Sequence, residues 1–393
     1  MNDPIVIVGA ARTPMGAFQS DFASITATEL GAVAIRAALM QAAIPPHTVD
    51  EVLMGNCLMA GLGQAPARQA AIGAGVPVSA GAVTMSKMCG SGMKAAMMAH
   101  DSIIAGSNDV VVAGGMESMT NAPYIVPKAR GGLRIGHGVI FDHMMLDGLE
   151  DAYEKGRSMG TFAEECAAEF AFTRAQQDAF AIESVRRAQA ATHEGAFAWE
   201  IAPVTVRGRG GEVIVDKDEG PLKAKVEKIP SLKSAFKIDG TITAASSSSI
   251  NDGAAALVLM RSSTATALGC TPLARIVGHA THAQEPNRFC TAPIGAVEKL
   301  LGKVGWSVDQ VDLFEINEAF AVVPMAAMNK FGIPHEKVNL HGGACALGHP
   351  IGASGARIIV TLIGALRKTG GKRGIAALCI GGGEATAMAI ELL

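Results

Sequence analysis

The sequence predicts an α/β protein made of two similar halves, the first of which carries a long insertion. Segments with strand patterns and helix patterns alternate along the chain, which is typical of layered α/β folds. Four landmarks recur in the last third of the chain at offsets between 262 and 267 residues. Residues from about 120 to 245 have no counterpart in this repeat.

The composition agrees with this fold class. Hydrophobic residues make up 49% of the 393 residues, aromatic residues only 4%, and there are 46 glycines. This suits closely packed layers with tight turns, and it argues against a coiled coil or a disordered chain. The length predicts two or three domains. A net charge of −3 gives no reason to expect nucleic acid as a partner.

The first half shows apolar runs that end at glycine, separated by segments with helical spacing. They predict a strand at Ile5–Val8, a helix at Glu29–Ala42, a strand at Val49–Met54, a helix at Ser91–Ala105 and a strand at Asp109–Ala113. Because strands and helices alternate, we expect a largely parallel sheet covered on both faces.

The repeat pairs equivalent points in the two halves. The pairs are Leu30-Gly31-Ala32-Val33 with Ile294-Gly295-Ala296-Val297, Val49-Asp50 with Val311-Asp312, Ser91-Gly92 with Ser354-Gly355, and Ala113-Gly114-Gly115 with Ile380-Gly381-Gly382. The last pair is expected to close a strand in each half. A steady offset over four landmarks indicates duplication. We therefore predict three units: 1–120 with 246–272, 121–245, and 273–393.

The insertion is predicted to be loop-rich at first and then helical. Residues 121–151 form a predicted loop, Met159–Ala171 and Arg174–His193 predicted helices, the second capped by Thr173, and Gly208–Gly211 a hairpin turn. Between 201 and 240 there are eight Lys or Arg residues against six Asp or Glu. This cationic excess is either a solvated surface or a landing site for a polyanionic ligand.

Cysteine usage and the termini indicate the compartment. Seven cysteines, with no CxxC pair, predict free thiols in a reducing compartment and no structural metal site. The chain start lacks the features of a signal peptide. The longest uncharged run, Gln69–Ser86, is broken by glycines and a proline and is a poor membrane span. We expect a cytoplasmic protein that has no membrane partner.

Cys89 stands directly before Gly90-Ser91-Gly92 at the predicted start of a helix. Unpaired backbone N–H groups and the positive end of the helix dipole favour a thiolate, which is the nucleophilic form. The alternative is a small buried cysteine in a turn, which is the commoner role of a free cysteine. The stretch alone leaves both interpretations open.

Three other polar residues stand in similar places. His349 lies in a glycine-rich loop before a predicted helix at Ser354–Lys368, and is either a general base or locally capped. Cys379 ends a buried strand before Gly381, whose turn could stabilise an oxyanion. Asn317 follows a predicted strand at Val311–Ile316, and an ordinary turn or cap is the alternative there. Together these residues predict covalent catalysis with separate acid–base groups.

The same residues resemble the thiolases, in particular the short-chain acetyl-CoA acetyltransferase kind, nearly from end to end. The motifs that carry this resemblance are Ala10-Ala11-Arg12-Thr13-Pro14, Cys89-Gly90-Ser91-Gly92, Gly114-Gly115-Met116-Glu117-Ser118-Met119, Asn251-Asp252-Gly253-Ala254-Ala255, Asn317-Glu318-Ala319-Phe320, Gly348-His349-Pro350 and Cys379-Ile380-Gly381-Gly382-Gly383. The family fold implies a five-layered αβαβα core of two duplicated halves with an inserted loop domain.

The resemblance implies a role for each catalytic residue. Cys89 is similar to the nucleophile that becomes acetylated, and His349 to the residue that activates it and helps to hold the thioester oxygen of the second substrate. Asn317 resembles the asparagine that positions a water in that oxyanion hole. Cys379 is similar to the base that removes the α-proton, and the amides of Cys89 and Gly381 would form the other oxyanion hole. The implied reaction joins two acetyl-CoA into acetoacetyl-CoA, with thiolysis as its reverse.

The resemblance also implies a coenzyme A site and an assembly. Ser248 resembles a serine that bonds the pantetheine arm, and Lys223 stands near the family's nucleotide-binding arginine. The other implied pocket positions are Met159, Phe236, Ala244, Phe289, Ala319 and Phe320. Coenzyme A thioesters would be substrates and partners, no cofactor would be bound permanently, and the chain would form a homotetramer, a dimer of dimers.

Three serines depart from the family pattern. Ser86 and Ser246 stand where asparagine is usual, and Ser158 stands where some biosynthetic members have histidine. Each keeps a hydroxyl but loses amide or imidazole hydrogen-bonding capacity. Two rival hypotheses are a ketosynthase-like enzyme, which would carry a second histidine in place of Cys379, and a non-catalytic coenzyme A-binding protein, which would lack one of the catalytic residues.

Overall fold

The computed structural model describes residues 3–208 and 210–393. Residue 209, inside the predicted hairpin turn, and the first two residues lie outside this part. The strands are β1 Ile5–Arg12, β2 Gly16–Ala17, β3 Glu51–Gly55, β4 Gly81–Met85, β5 Val110–Ser118, β6 Tyr124–Ile125, β7 Phe141–Asp142, β8 Val204–Gly208, β9 Gly211–Val215, β10 Asn251–Arg261, β11 Ala274–Ala283, β12 Leu313–Ile316, β13 Arg373–Ile380 and β14 Glu384–Leu392.

All five predicted helices are present close to their predicted positions, and the described residues contain six further helices that were not predicted. The helices are α1 Ala27–Gln41, α2 Pro66–Gly73, α3 Ser91–Ile104, α4 Met159–Glu169, α5 Arg174–His193, α6 Glu219–Lys223, α7 Ser262–Leu268, α8 Ala292–Val304, α9 Val322–Phe331, α10 Ala344–Leu347 and α11 Ile351–Thr369. Helix α5 begins where predicted because Thr173 and Gln176 form a capping box. Helix α11 begins three residues earlier than predicted, directly after Pro350.

Ten of the described strands form one sheet in which the two halves meet at β1 and β11, while β6 with β7 and β8 with β9 form two separate two-stranded sheets. The order is β12-β13-β14-β11-β1-β10-β5-β3-β4, and β2 pairs with β10. The junction is narrow, since β1 and β11 pair only at Val6–Arg275 and Ile7–Ala274. Equivalent strands from the repeat, β3 with β12 and β5 with β13, occupy equivalent places on either side.

Five layers result from this arrangement. Helices α1 and α2 pack on the outer face of the first half, and α8 and α9 on the outer face of the second. Helices α3 and α11 pack against each other and contact strands of both halves. Successive side chains of β1 point to opposite faces of the sheet. Val6 and Val8 pack against the outer helices, while Ile5 and Ile7 pack against the central ones. The predicted five-layered αβαβα fold is confirmed.

The prediction of a largely parallel sheet is wrong. Only the β3–β4, β3–β5 and β12–β13 pairs are parallel, and the other pairs of the large sheet are antiparallel. Strand β14 turns back against β13 through Gly381–Gly383, where Gly382 and Gly383 have positive φ. Strand β10 pairs antiparallel with β5, but it follows β5 only after the whole insertion. The local alternation of strands and helices in the sequence does not reveal its direction.

The fourth repeat landmark also differs from the prediction. Gly114-Gly115 does not close a strand, because β5 continues through it to Ser118. A side chain at Gly115 would collide with the carbonyl group of Gly352 in the first turn of α11. The glycine therefore permits the start of α11 to lie directly on the sheet of the first half.

The insertion is attached through a buried cation. Arg12, at the end of β1, is fully buried, and its guanidinium contacts Glu200 at 2.5 Å and Asp218 at 2.6 Å. Both carboxylates belong to the insertion, so Arg12 fixes two of its segments to the core. The boundaries assigned to the three units remain predictions. Within the described residues, no helix has both the length and the apolar character needed to cross a membrane.

Candidate active site

A cavity of about 300 Å³ lies where both halves and the insertion meet. Nine of the predicted residues line it: Cys89, Met159, Phe236, Ser248, Phe289, Ala319, Phe320, His349 and Gly381. Its remaining wall is mostly apolar and comes from Met88, Met119, Met145, Gly148, Leu149, Ser158, Gly160, Ser247, Ser249, Ile250 and Ile351. A mostly apolar wall with a few polar groups is typical of small-molecule sites.

Cys89 occupies a tight turn directly before α3. Met88 has a positive φ of 45°, and Gly90 packs so closely on Ile380 that a side chain there would collide with it. The backbone N–H groups of Gly381 and of Cys89 itself lie near the Cys89 sulfur and favour its thiolate form. One backbone donor from each half thus acts on the sulfur.

The expected thiolate is not the resting form of Cys89. Burial raises the pKa of its thiol to about 11, although the N–H groups of Gly381 and Cys89 lower it and the carboxylate of Glu117 raises it further. The expectation of a lowered pKa was wrong because desolvation outweighs the helix start and the backbone donors. The residue is a thiol that must lose its proton during reaction.

The ring of His349 is fixed in one tautomer. The Ser354 hydroxyl donates to the Pro350 carbonyl at 2.9 Å, so its oxygen accepts from His349 Nδ1–H at 2.5 Å. The other ring nitrogen, Nε2, is buried without a partner on a residue that lines the cavity. Burial and the nearby Arg357 lower the pKa of His349 to about 3. The imidazole is therefore neutral and can accept a proton through Nε2.

Asn317 lies behind the cavity wall and is held by a buried ion pair. Its Oδ1 accepts from Arg357 Nη2 at 3.4 Å, while Arg357 Nη1 contacts Glu315 at 2.9 Å. The Asn317 Nδ2 group is buried and has no protein partner. Its N–H donors are therefore available to a water or a ligand.

Cys379 is fully buried at the end of β13, two residues before Gly381. Burial raises the pKa of its thiol well above the ordinary value, and charge on Cys89 raises it further. The two catalytic candidates are thus close enough to influence each other. At neutral pH Cys379 is protonated.

Two predicted coenzyme A contacts lie outside the cavity wall. Ala244 is exposed, and Lys223 pairs with Glu219 on the same short helix and donates to Ser20 at 3.3 Å. Their predicted roles remain predictions. By contrast, Ser248 is placed by its backbone N–H, which donates to the Ala319 carbonyl at 3.0 Å, and both residues line the cavity.

The three unusual serines have different surroundings. Ser86 is exposed directly after β4 and lies near the buried thiol of Cys57, whose pKa it lowers slightly against the larger effect of burial. Ser246 is buried and accepts from the Thr243 N–H at 2.8 Å. Ser158 lines the cavity at the start of α4 without making a capping hydrogen bond. Only Ser158 therefore changes the cavity wall directly.

Sequence reasoning missed the side chains that hold the catalytic ones. Ser354 appeared only as a repeat landmark, although it stands five residues after His349. Arg357 is a buried cation that precedes a run of apolar residues in α11, which was a signal that could have been used. Glu117 accepts from the N–H groups of Cys57, Leu58 and Gly352, and so ties the two halves beside the cavity.

Comparison with known proteins gives a consistent assignment. Residues 5–263 match the thiolase N-terminal domain, and residues 270–392 match the thiolase C-terminal domain. Acetyl-CoA acetyltransferase 2 of Arabidopsis thaliana is 53% identical over 99% of this chain and 97% of its own length. The acetyl-CoA acetyltransferase of Schizosaccharomyces pombe is 49% identical over 100% and 99%.

Solved structures agree with the sequence matches. The Acat5 thiolase from Ascaris suum, crystallised in complex with coenzyme A, superposes with a TM-score of 0.94 at 43% identity, covering 99% of this chain and 100% of that one. The acetyl-CoA acetyltransferase of Bacillus anthracis gives 0.96 at 40% identity, with 100% and 99% covered. The chain belongs to the thiolase family.

Proposed function

We propose that the protein is an acetyl-CoA C-acetyltransferase that condenses two acetyl-CoA into acetoacetyl-CoA and coenzyme A, and that it also cleaves short-chain 3-ketoacyl-CoA by thiolysis. One observation carries the proposal: Cys89 and His349 line the same cavity, and the Nε2 atom of His349 has no hydrogen-bond partner. The relatives named acetyl-CoA acetyltransferase and the thiolase crystallised with coenzyme A support it.

The first half-reaction transfers the acetyl group to Cys89. As the sulfur attacks the thioester carbonyl, its proton passes to His349 Nε2, the only ring nitrogen not engaged by Ser354. The carbonyl oxygen gains negative charge close to the sulfur, where the N–H groups of Cys89 and Gly381 converge. One such donor is worth about 10²- to 10³-fold in rate. The tetrahedral adduct then expels the thiolate of coenzyme A.

The second half-reaction uses the raised pKa of Cys379. Its buried thiol is protonated and can give its proton to the departing coenzyme A thiolate. The resulting Cys379 thiolate takes an α-proton from the second acetyl-CoA. The carbanion attacks the acetyl carbon, the Cys89 thiolate leaves and recovers its proton from His349, and acetoacetyl-CoA is released. Asn317 would hold a water beside His349 with its unpartnered N–H groups.

The remaining features of the proposal concern binding and setting. Ser248 would bond the pantetheine arm, and the phenyl rings of Phe236, Phe289 and Phe320, which pack edge to face, would limit the acyl chain. Coenzyme A thioesters would enter and leave as substrates, without a permanently bound cofactor. A homotetrameric assembly and a cytoplasmic location belong to the same proposal.

Intact-mass measurement after mixing with acetyl-CoA tests the assignment. We expect the wild type and Cys379→Ala to gain one acetyl group, Cys89→Ala to gain none, and both variants to lose condensation. Cys270→Ala, which removes a partly buried thiol near α7, serves as the control and should behave as the wild type. An acetyl group retained in Cys89→Ala, or normal condensation by Cys379→Ala, would contradict the proposal.

A chain-length series tests the substrate class. Thiolysis rates are measured with acetoacetyl-CoA and with longer 3-ketoacyl-CoAs at equal concentration. We expect kcat/KM to be highest for acetoacetyl-CoA because the cavity is only about 300 Å³ and three phenyl rings line it. A preference for long chains would leave thiolase chemistry in place but overturn the short-chain assignment.

A further inference from the structure

A second cluster of chemically capable side chains lies away from the catalytic cavity. His100 and Asp101 are neighbours in the last turns of α3, and His279 projects from β11. Asp101 Oδ1 lies 3.1 Å from His100 Nδ1 and 2.9 Å from His279 Nε2. One ligand atom from each residue fits within a set whose members are all less than 4.8 Å apart. The thiolase reaction proposed above uses none of these residues.

We propose that His100, Asp101 and His279 bind one divalent transition-metal ion such as Zn²⁺ or Co²⁺. Two imidazole nitrogens and one carboxylate suit these metals, which accept nitrogen and oxygen ligands together. In a tetrahedral site with bonds of 2.0–2.2 Å, neighbouring ligand atoms are about 3.3 Å apart. The distances to Asp101 Oδ1 are already close to that value. The two imidazole nitrogens lie within 4.8 Å of each other, so side-chain rotations would bring them to the same spacing around an ion.

The arrangement of donors suits a cation. Asp101 Oδ1 faces one ring nitrogen of each histidine, so in the absence of metal those nitrogens donate their hydrogens to the carboxylate. A metal ion would take the place of these hydrogens, and each ring would keep its proton on the other nitrogen.

The surroundings contribute opposing charges. The C-terminal end of α3 carries partial negative charge from its free carbonyl groups, which favours a cation. Lys303 opposes it, since its ammonium group donates to the His279 carbonyl at 3.2 Å. Arg261 occupies the carbonyls of Ile103 and Ile104, which are therefore less available as additional ligands. Water would complete the coordination on the open side, where the Asp101 side chain is 58% exposed.

The location predicts what the ion would do. Helix α3 belongs to the first half and β11 to the second, so one ion would join the two halves beside their narrow strand junction. Ser91, at the start of α3, is about 14 Å along the helix axis from His100 at 1.5 Å per residue. We therefore expect the ion to stabilise the fold and to leave turnover unchanged.

Cobalt titration of the chelator-treated protein tests the site. The wild type should bind one Co²⁺ per chain with an absorption spectrum of nitrogen and oxygen ligands, and its Tm should rise. His279→Gln should weaken this binding by roughly 100-fold or more, since it removes a ligand. An intense thiolate-to-cobalt charge-transfer band would instead indicate binding at the catalytic cysteines and contradict the proposal.

Two further variants make the result decisive. His143→Gln is the matched control, because His143 pairs with Asp147 at 2.7 Å with similar exposure but belongs to no three-residue cluster among the described residues. It should bind cobalt like the wild type. Asp101→Asn changes an exposed side chain and should also lose binding, so it tests the site even if His279→Gln does not fold. A wild type that binds no cobalt, or a folded cluster variant that binds cobalt as tightly as the wild type, would overturn the site.

Discussion

The starts of the two central helices hold equivalent serines that do different work. Ser91 accepts from the Lys87 N–H at 2.8 Å and donates to the Met88 carbonyl at 2.6 Å, so it closes the turn that carries Cys89. Ser354 donates to the Pro350 carbonyl in the same way, but its oxygen accepts from the ring of His349. Both serines are fully buried. In the first half the hydroxyl fixes backbone, and in the second it fixes a side chain.

This difference explains how a duplicated scaffold yields two unlike catalytic groups. Cys89 needs a positioned sulfur with N–H donors around it, which a rigid backbone turn provides. His349 needs a defined tautomer, which only a partner on Nδ1 provides. The duplicated element is the serine near the helix start. The catalytic residue before it, Cys89 in the first half and His349 in the second, determines which requirement is met.

Removing the imidazole of His349 should slow the reaction more than any other change to these two helix starts. His349→Gln keeps a polar side chain but removes the proton acceptor at Nε2, so acetylation of Cys89 should slow by about 10²- to 10⁴-fold. The rate is measured in single-turnover experiments with acetyl-CoA. Circular dichroism shows whether the fold is retained. An unchanged acetylation rate in a folded variant would exclude His349 as the base.

Removing the partner of the imidazole should have a smaller effect. Ser354→Ala leaves Nδ1–H buried without an acceptor and frees the ring to take the other tautomer. An unsatisfied buried donor costs about 1–3 kcal/mol, which corresponds to about 5- to 150-fold in rate if the reactive tautomer bears the cost. The acetylation rate should fall within this range.

The control for Ser354→Ala is the double variant with His349→Gln. In that background the serine has no ring to orient, and its loss should change the acetylation rate little. If Ser354→Ala slowed the double variant as much as the wild type, its effect would be structural and the tautomer argument would fail.

Removing the equivalent serine of the first half should affect stability more than rate. Ser91→Ala leaves the partly buried N–H of Lys87 without its acceptor, at a cost of about 1 kcal/mol in the free energy of unfolding. The Cys89 turn keeps its bond from the Ser91 N–H to the Met88 carbonyl at 3.0 Å. We therefore expect a lower unfolding midpoint in urea and a smaller rate loss than for Ser354→Ala. The reverse order would show that the two serines are not used differently.

The comparison also shows what the sequence could predict. Glycine-framed element ends pointed to Cys89 and His349, which line one cavity, and to Cys379 and Asn317, which are buried outside its wall. Tight turns and close approaches leave such a local pattern, while the catalytic roles of the four residues stay predictions. The partners Ser354 and Arg357 could not be assigned in the same way, since a hydrogen bond to a side chain depends on how two segments pack. The pKa of Cys89 was mispredicted for a related reason: the helix start is local, whereas the degree of burial is not.

Fold prediction followed the same division. The positions of α3, α5 and β3 follow from local spacing and capping, and the repeat indicated the layered arrangement. The expectation of a largely parallel sheet failed at β10 and β14, neither of which was assigned as a strand from the sequence. Strand β10 follows a long insertion and β14 a glycine turn, and the direction of each is set by where the chain re-enters the sheet.

The smallest effect on activity is expected at a histidine of the same loop that has no catalytic partner. His341 is buried, and burial lowers its pKa to about 4. The unfolded chain therefore binds the proton more tightly than the folded one. The contribution of His341 to the free energy of unfolding is complete above about pH 6.5 and is lost as the pH falls towards about 4. His341→Gln should remove this dependence, worth up to about 1.4 kcal/mol per pH unit, and leave acetylation of Cys89 unchanged. Urea unfolding across this pH range measures it, with His47→Gln, at an exposed position, as the control. An unaltered pH slope in His341→Gln would mean that burial of this ring does not shift its titration. An acetylation defect in this variant would mean that catalysis depends on His341 as well as on His349.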